Sequence, residues 1–321
     1  MLPQVGSGLV HQVSLPAHLK KCTRLFFIFT AISQYLTLIK ECLPDTCDSY
    51  RVLACRVWPL GETCHGVTDF HHYRGAMNNR ELGVYKAWDL PVRIFHWVNF
   101  TAVIGLILFG LLMLYKDALG ITSIEAKISL KTIHVIIGYV FVLNLAFRIL
   151  WGFIGNRYAR WRAILPGRGF VQSLRDYRAS LRAGDPQQFI GHNPLGRLAV
   201  CALLLLMVVM AGTGLIRAGT DIYYPPFGSL VAEYVAAPGT DPASLVPYDP
   251  AGTEPSRAER LKAFKAPFGI IHLYTAYTLM FLIIVHIAAV VFTEVREGGS
   301  IISAMFSGRK VLSGKPVDGD S

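Results

Sequence analysis

Four histidines lie inside or at the edges of long apolar runs, and an imidazole in hydrocarbon is costly unless something binds it. His272 and His286 share the run from Phe268 to Phe292, fourteen residues apart. On an α-helix that spacing rises ~21 Å and completes nearly four whole turns, so both rings occupy one face at very different depths. His96 opens the run from Phe95 to Tyr115, and His134 lies near the start of Ile128 to Ile154. A further run, Leu195 to Ile216, holds no histidine. Imidazoles stacked on one face at two depths suit the axial positions of two haems, each iron taking a second ligand from another helix at its own level. Taken singly, each ring also suits a hydrogen bond to a neighbouring helix.

The elements that must position these rings are the apolar runs themselves. Each has about the 20 residues that a bilayer crossing needs, and the spans are expected over about 93–115, 128–154, 195–217 and 268–293. Successive spans run in opposite directions, so His96 and His134, both near span starts, face opposite leaflets. His272 starts the fourth span on the side where the second begins, and His286 lies deeper, towards the side where the first begins. Depth therefore pairs His134 with His272 and His96 with His286. The expected fold is an all-α integral membrane four-helix bundle binding two haems between its helices.

Hydrophobic residues make up 53% of the chain and charged residues 16%, a balance that fits a membrane protein and not a soluble domain. The net charge of +10 is concentrated rather than spread. Arg157, Arg160, Arg162, Arg168, Arg175, Arg178 and Arg182 crowd the connector between the second and third spans, and Arg296, Arg309, Lys310 and Lys315 follow the fourth. The stretch from Ala218 to Pro267 mixes its charges, with Asp221, Glu233, Asp241, Asp249, Glu254 and Glu259. Basic residues at membrane-span ends orient a protein with those ends in the cytoplasm. That reading places the protein in a bacterial inner membrane, both ends of the membrane domain cytoplasmic, with lipid and not nucleic acid as its extended partner.

Residues 1–76 differ in style, holding Cys22, Cys42, Cys47, Cys55 and Cys64. The run Leu25 to Ile39 is short for a span, and no small-residue cleavage site follows it. Cys64-His65 lacks the earlier cysteine of a c-type haem attachment site, since Gly61 stands there. Residues 1–76 are read as an N-terminal extension, with translation expected to begin at Met77; a retained extension is the alternative. Residues 77–310 form the expected membrane domain and 311–321 a cytoplasmic tail.

Several polar residues accompany the histidines. Arg148 lies fourteen residues after His134 and suits a haem propionate, which a guanidinium pairs bidentately, or a headgroup reached by snorkelling. Arg93, three residues before His96, suits a propionate or a lipid phosphate. Arg217 is similarly placed at the outer end of the third span, and Asn144 suits a backbone group or a quinone head. Pro91 and Asp89 fit the first turn of the first span. Gly105, Gly110, Gly138, Gly212 and Gly214 permit close approach of helices or of a flat macrocycle. The loop from Ala218 to Pro267 is expected to hold a Pro225-Pro226 turn and a short amphipathic helix around 256–264.

Residues 85–310 resemble the b-type cytochrome subunit of membrane-bound nickel–iron hydrogenases, within the wider bacterial cytochrome b561 superfamily. The resemblance rests on AWDLPVRIFHW at Ala87–Trp97 and KTIHVIIGYVFVLNLAFRILWGFIGNRYARW at Lys131–Trp161. HNPLGR at His192–Arg197, TGL at Thr213–Leu215, and the pair His272 and His286 followed by SGRK near Ser307 add to it. It implies four transmembrane helices, two haems b with His96, His134, His272 and His286 as axial ligands, and electron passage between a peripheral metalloprotein and the quinone pool. The partner it implies is a periplasmic-side redox protein: a hydrogenase small subunit, an iron–sulfur protein or a cytochrome c. The chain is then an electron-transfer subunit of an oxidoreductase complex rather than a stand-alone enzyme, its quinone near His96 and His286. His192 belongs to one of these motifs and is read as a connector histidine or part of a haem or quinone pocket. Two other readings stand beside it: a stand-alone cytochrome b561 oxidising a small molecule such as superoxide, and an ion or metal transporter whose histidines bind cargo.

Overall fold

A computed structural model describes residues 82–297 and 300–319. The readings for residues 1–76 and for a start at Met77 fall outside the described residues. In chain order the elements are β1 (Gly83–Lys86), α1 (Leu90–Leu114), α2 (Ile124–Ile154), α3 (Trp161–Ile164), α4 (Phe170–Arg182) and α5 (Pro194–Ile222). They continue with α6 (Gly228–Val235), a 3-10 turn at Pro242–Ser244, α7 (Pro255–Glu297), α8 (Ile301–Ser307) and β2 (Arg309–Leu312). Among the described residues four helices, α1, α2, α5 and α7, are long and apolar enough to cross a membrane.

Three of these long helices start where a capping side chain satisfies an orphan amide of the first turn. Asp89 accepts from Val92 N at 3.2 Å ahead of Pro91, Ser123 from Ala126 N at 3.2 Å, and Asn193 from Gly196 N at 2.7 Å with Pro194 at the start of the helix. Helix α5 continues to Ile222, five residues past the expected end, which puts Arg217 and Asp221 one turn apart on the helix. The amphipathic segment at 256–264 is not separate. It is the first part of α7, which runs unbroken through Pro267. Proline removes one helical donor, a loss that membrane helices tolerate where neighbouring groups supply replacement contacts.

Helix α1 packs along α2 and α5 along α7, and the two hairpins join mainly through α2 and α5. The core between them holds Phe95, Val103, Phe141, Leu145, Leu204, Met207 and Leu279. The outward faces carry large exposed apolar side chains such as Leu143, Leu205, Phe281 and Ile284, as a helix facing lipid requires. Lipid tails are as apolar as these side chains, so the helices cohere by close packing and polar ties rather than by exclusion of water.

A second small core caps one end of the bundle, the connector side. There Ala87, Trp88, Val92, Ala159, Ile190, Ala304 and Leu312 meet. β1 pairs antiparallel with β2, Gly83 opposite Leu312 and Lys86 opposite Arg309. Asp89 accepts from Trp151 Nε1 at 3.0 Å and Asn156 N at 3.2 Å, while Asn156 donates to the Ala87 carbonyl at 3.1 Å and accepts from Ala159 N at 2.8 Å. Two sequence motifs, around Ala87–Asp89 and Gly155–Arg160, are thus one hydrogen-bonded knot. Gly308 is obligatory here: its φ is +78°, its carbonyl accepts from Ala87 N and Trp88 N, and a Cβ would lie 2.6 Å from the Trp88 carbonyl oxygen. The tail folds back over the connector, where Asp318 accepts from Ile190 N at 2.7 Å and Gly191 N at 2.8 Å. At the other end, the loop side, α6 and Leu245 form a third cluster with Ala232, Val235 and Ala236.

Candidate cofactor-binding sites

The structure brings His134 of α2 and His272 of α7 together near the loop side in an edge-on arrangement, with ring centroids 6.4 Å apart and planes at 68°. Between the two hairpins lies a cavity of about 480 Å³, lined by both rings together with Leu106, Gly110, Gly138 and Gly214. A Cβ on Gly110 would lie 3.6 Å from His134 Cε1, and one on Gly214 would lie 3.5 Å from His272 Cε1. Each imidazole therefore sits beside a glycine of a neighbouring helix.

The tautomer of His272 follows from its partner. Thr213 Oγ1 lies 2.9 Å from His272 Nδ1, and the same hydroxyl donates to the Val209 carbonyl at 2.7 Å. Assigning the hydroxyl proton to that carbonyl makes Thr213 the acceptor from Nδ1–H and leaves Nε2 its lone pair for a ligand. A metal-ligating histidine commonly has such an outer partner. The Nδ1 of His134 is buried beside the Leu106 backbone without a hydrogen bond of normal geometry. Sequence reading noted Thr213 only as part of the TGL motif. A threonine directly before the glycine that borders the ring is the signal that would have marked it.

At the connector side, His96 of α1 and His286 of α7 lie within electrostatic reach of one another, and Trp97 meets the His96 ring edge-on at 5.3 Å. Buried polar atoms without a partner gather at this end among the described residues: Arg93 Nε, His96 Nδ1, Asn99 Oδ1, Arg148 Nη1 and His192 Nδ1. Burying so many unsatisfied groups is costly, so this end is built to receive polar atoms.

Arg148 does not snorkel to headgroups. It is 4% exposed, donates to the Ala159 carbonyl at 3.2 Å, and lies over the Phe95 and Trp161 rings at 5.9 and 5.7 Å. A Cβ on Gly152 would lie 2.4 Å from the Trp161 ring, so only glycine lets that indole close over the guanidinium. Asn144 bonds a backbone group, donating to the Phe95 carbonyl at 3.0 Å and tying α2 to α1 next to His96. Arg93 donates through Nη1 to the Phe306 carbonyl and keeps Nε free. Arg217 is held by Asp221 at 3.0 Å. His192 meets Trp88 with ring centroids 4.7 Å apart and planes tilted at 50°. Burial, and then the nearby charges of Lys310, Arg148 and Arg197, drive its pKa down to about 3, so it is neutral near pH 7.

A family model for prokaryotic cytochrome b561 matches residues 87–308. The chain is 31% identical over 143 residues to the probable Ni/Fe-hydrogenase 1 B-type cytochrome subunit of Escherichia coli K12, a match covering 40% of this chain and 58% of that protein. It is 25% identical over 260 residues to the probable Ni/Fe-hydrogenase B-type cytochrome subunit of Rhizobium leguminosarum bv. viciae, covering 75% of this chain and 93% of that protein. The corresponding subunit of Rhodobacter capsulatus is 27% identical over 255 residues, covering 74% and 86%. With the family model spanning well over half its length, the chain belongs to the prokaryotic cytochrome b561 family.

Proposed function

We propose that this chain is the dihaem membrane subunit of a quinone-linked oxidoreductase, passing electrons between a periplasmic-side redox protein and the quinone pool. Family membership brings haem b and electron transport; the number of haems, their ligands and the partner are the substance of the proposal.

The observation that carries it is the juxtaposition of the His134 and His272 rings, their centroids 6.4 Å apart. His134 and His272, on different helices and at the edge of one cavity, would hold the metal of a haem between them. Two histidines alone leave a metal ion short of ligands, and among the described residues no group of three or more His, Cys, Asp or Glu side chains converges. A macrocycle supplies the remaining four, which favours haem over the cargo-binding reading. Glycines beside both rings leave room for its plane. At the other end His96 and His286 would hold the second haem, and Arg93 Nε and Arg148 Nη1, without a hydrogen-bond partner among the described residues, would be available to its carboxylates.

When bound and ligated by two histidines, haem b supplies a one-electron couple with no open position for oxygen chemistry. The protein does the rest. Thr213 fixes the orientation of His272, Asn144 fixes the backbone next to His96, and the apolar helices exclude water from between the pairs. Two centres at different depths divide one long transfer into shorter ones. The Arg-rich connector orients that end to the cytoplasm, so the loop side meets the electron donor and the His96–His286 end meets quinone. The relatives named as hydrogenase cytochrome subunits support a nickel–iron hydrogenase as that donor. Co-purification of a metalloprotein would separate this from a stand-alone superoxide oxidase.

The test is a dithionite-reduced minus oxidised spectrum with pyridine haemochrome quantitation. A b-type α-band with two haems per chain, falling to one or fewer in His272→Ala or His286→Ala, is the expected result. A well-folded preparation from haem-replete cells that contains no haem would overturn the reading.

A further inference from the structure

Asp221 is a junction of three helices. Its carboxylate is 7% exposed and takes Lys131 Nζ at 2.6 Å and Arg217 Nη2 at 3.0 Å on one oxygen, with Lys265 Nζ at 3.0 Å on the other. Lys131 stands on α2 three residues before His134. Lys265 stands on α7 seven residues before His272, two turns away and on the same face. Arg217 stands on α5 one turn after Gly214 and Thr213, the residues that border and orient the His272 ring.

Two consequences follow. The first is mechanical. Helices α2 and α7 pack extensively on α1 and α5 but barely on each other, and the Lys131–Asp221–Lys265 bridge is a polar tie across the gap that the two rings share. The second is electrostatic. Counting the protein's own groups, three cations against one carboxylate leave a surplus of two positive charges beside the cavity. Lys127 lines the same cavity, as does Lys116, which is paired with Asp117 at 3.3 Å. Asp221 and Lys131 are largely withdrawn from solvent, so their charges act on any charge change nearby more strongly than they would in water. Lys131 and Arg217 both lie within electrostatic reach of His134 and of His272.

We propose that Asp221 and its three cations are positioning residues that set the reduction potential of the centre held between His134 and His272. Reduction adds one electron from the redox partner, makes and breaks no bond, and lowers the charge of the centre by one. The positive surplus favours that reduced form, and the Asp221 carboxylate moderates the effect. The inference rests on the dihaem reading, and its failure is distinguishable from the failure of that reading.

The experiment is an equilibrium redox titration of the purified full chain, followed optically, for the wild type, Asp221→Asn, Lys131→Met, Lys265→Met and Lys265→Arg. His272→Ala identifies which component belongs to this centre. Asp221→Asn is expected to raise the midpoint potential of that component and the two methionine variants to lower it. Lys265→Arg should leave it unchanged, and the His96–His286 component should stay in place throughout. A clamp that acted only by holding helices together would move Asp221→Asn and Lys131→Met in the same direction, by loosening the site. That result, equal shifts in both components, or no shift at all overturns the proposal. If Asp221→Asn fails to fold, Lys265→Met against Lys265→Arg decides by the same sign rule. A wild type without haem, or with a single titrating component, overturns the dihaem reading and this proposal with it.

Discussion

Thr213→Val tests the orientation of His272 without touching a ligand. Valine matches threonine in shape and, like it, is β-branched, so the packing of a residue only 7% exposed is preserved. The lost bond to the Val209 carbonyl costs little, because that oxygen also accepts the backbone bond of the helix. The lost acceptor for His272 Nδ1–H is the large effect. A buried donor left without its partner costs roughly 1–3 kcal/mol. Independently, removing the outer partner of a ligating histidine typically weakens metal binding about 10–100-fold, which at about 1.4 kcal/mol per decade is roughly 1.4–2.8 kcal/mol. The two figures agree. We therefore expect haem release from one of the two sites, measured by transfer to excess apomyoglobin, to become about 10–100-fold more favourable in Thr213→Val. Thr213→Ser, which keeps the acceptor, should behave as wild type. Unchanged transfer in Thr213→Val, or a Thr213→Ser as impaired as the valine variant, would refute the reasoning.

Three further outcomes are expected. Gly214→Ala should be tolerated, since its Cβ meets His272 Cε1 at an ordinary 3.5 Å, whereas Gly214→Leu must enter the space of the ring and should cut haem content towards one per chain. Arg148→Leu should lower the content or shift the potential of the His96–His286 component alone; retention of both would assign Arg148 to packing of the connector against Phe95 and Trp161. His192 titrates near 6.5 when unfolded and near 3 when folded, facing Lys310, Arg148, Arg197 and His286. The unfolded chain therefore binds the extra proton between these values, so stability falls as pH drops through that window and is unaffected above it. The decline in Tm on acidification from about pH 6.5 towards pH 3 should be shallower in His192→Gln, and an identical slope would argue against a buried neutral His192.

Much of the architecture was legible because its causes are local. The length of an apolar run states how far a helix can reach, and helical pitch alone places His272 and His286 on one face. The alternation of span direction then sets His272 level with His134 and His286 level with His96, and the structure brings the first two rings to within 6.4 Å. Asp89, Ser123 and Asn193 announce helix starts because a cap bonds an amide two or three residues away. At Pro267 the local rule misleads: a proline reads as a boundary, yet α7 runs through it.

What tertiary structure alone decided are the partnerships between residues far apart in sequence. Thr213 and His272 are fifty-nine residues apart, and nothing in either neighbourhood names the other. Arg148 could be read as reaching for headgroups until Ala159 and Trp161 were seen to close over it. Asp221 stood in a stretch of mixed charge, and its capture of Lys131 and Lys265 depends on where α2 and α7 stand after packing. The sequence by itself settles which segments become helices and which face each histidine occupies, because backbone hydrogen bonding and pitch act over a few residues. Which distant side chains meet is settled by how the assembled helices pack, and that is a property of the bundle as a whole.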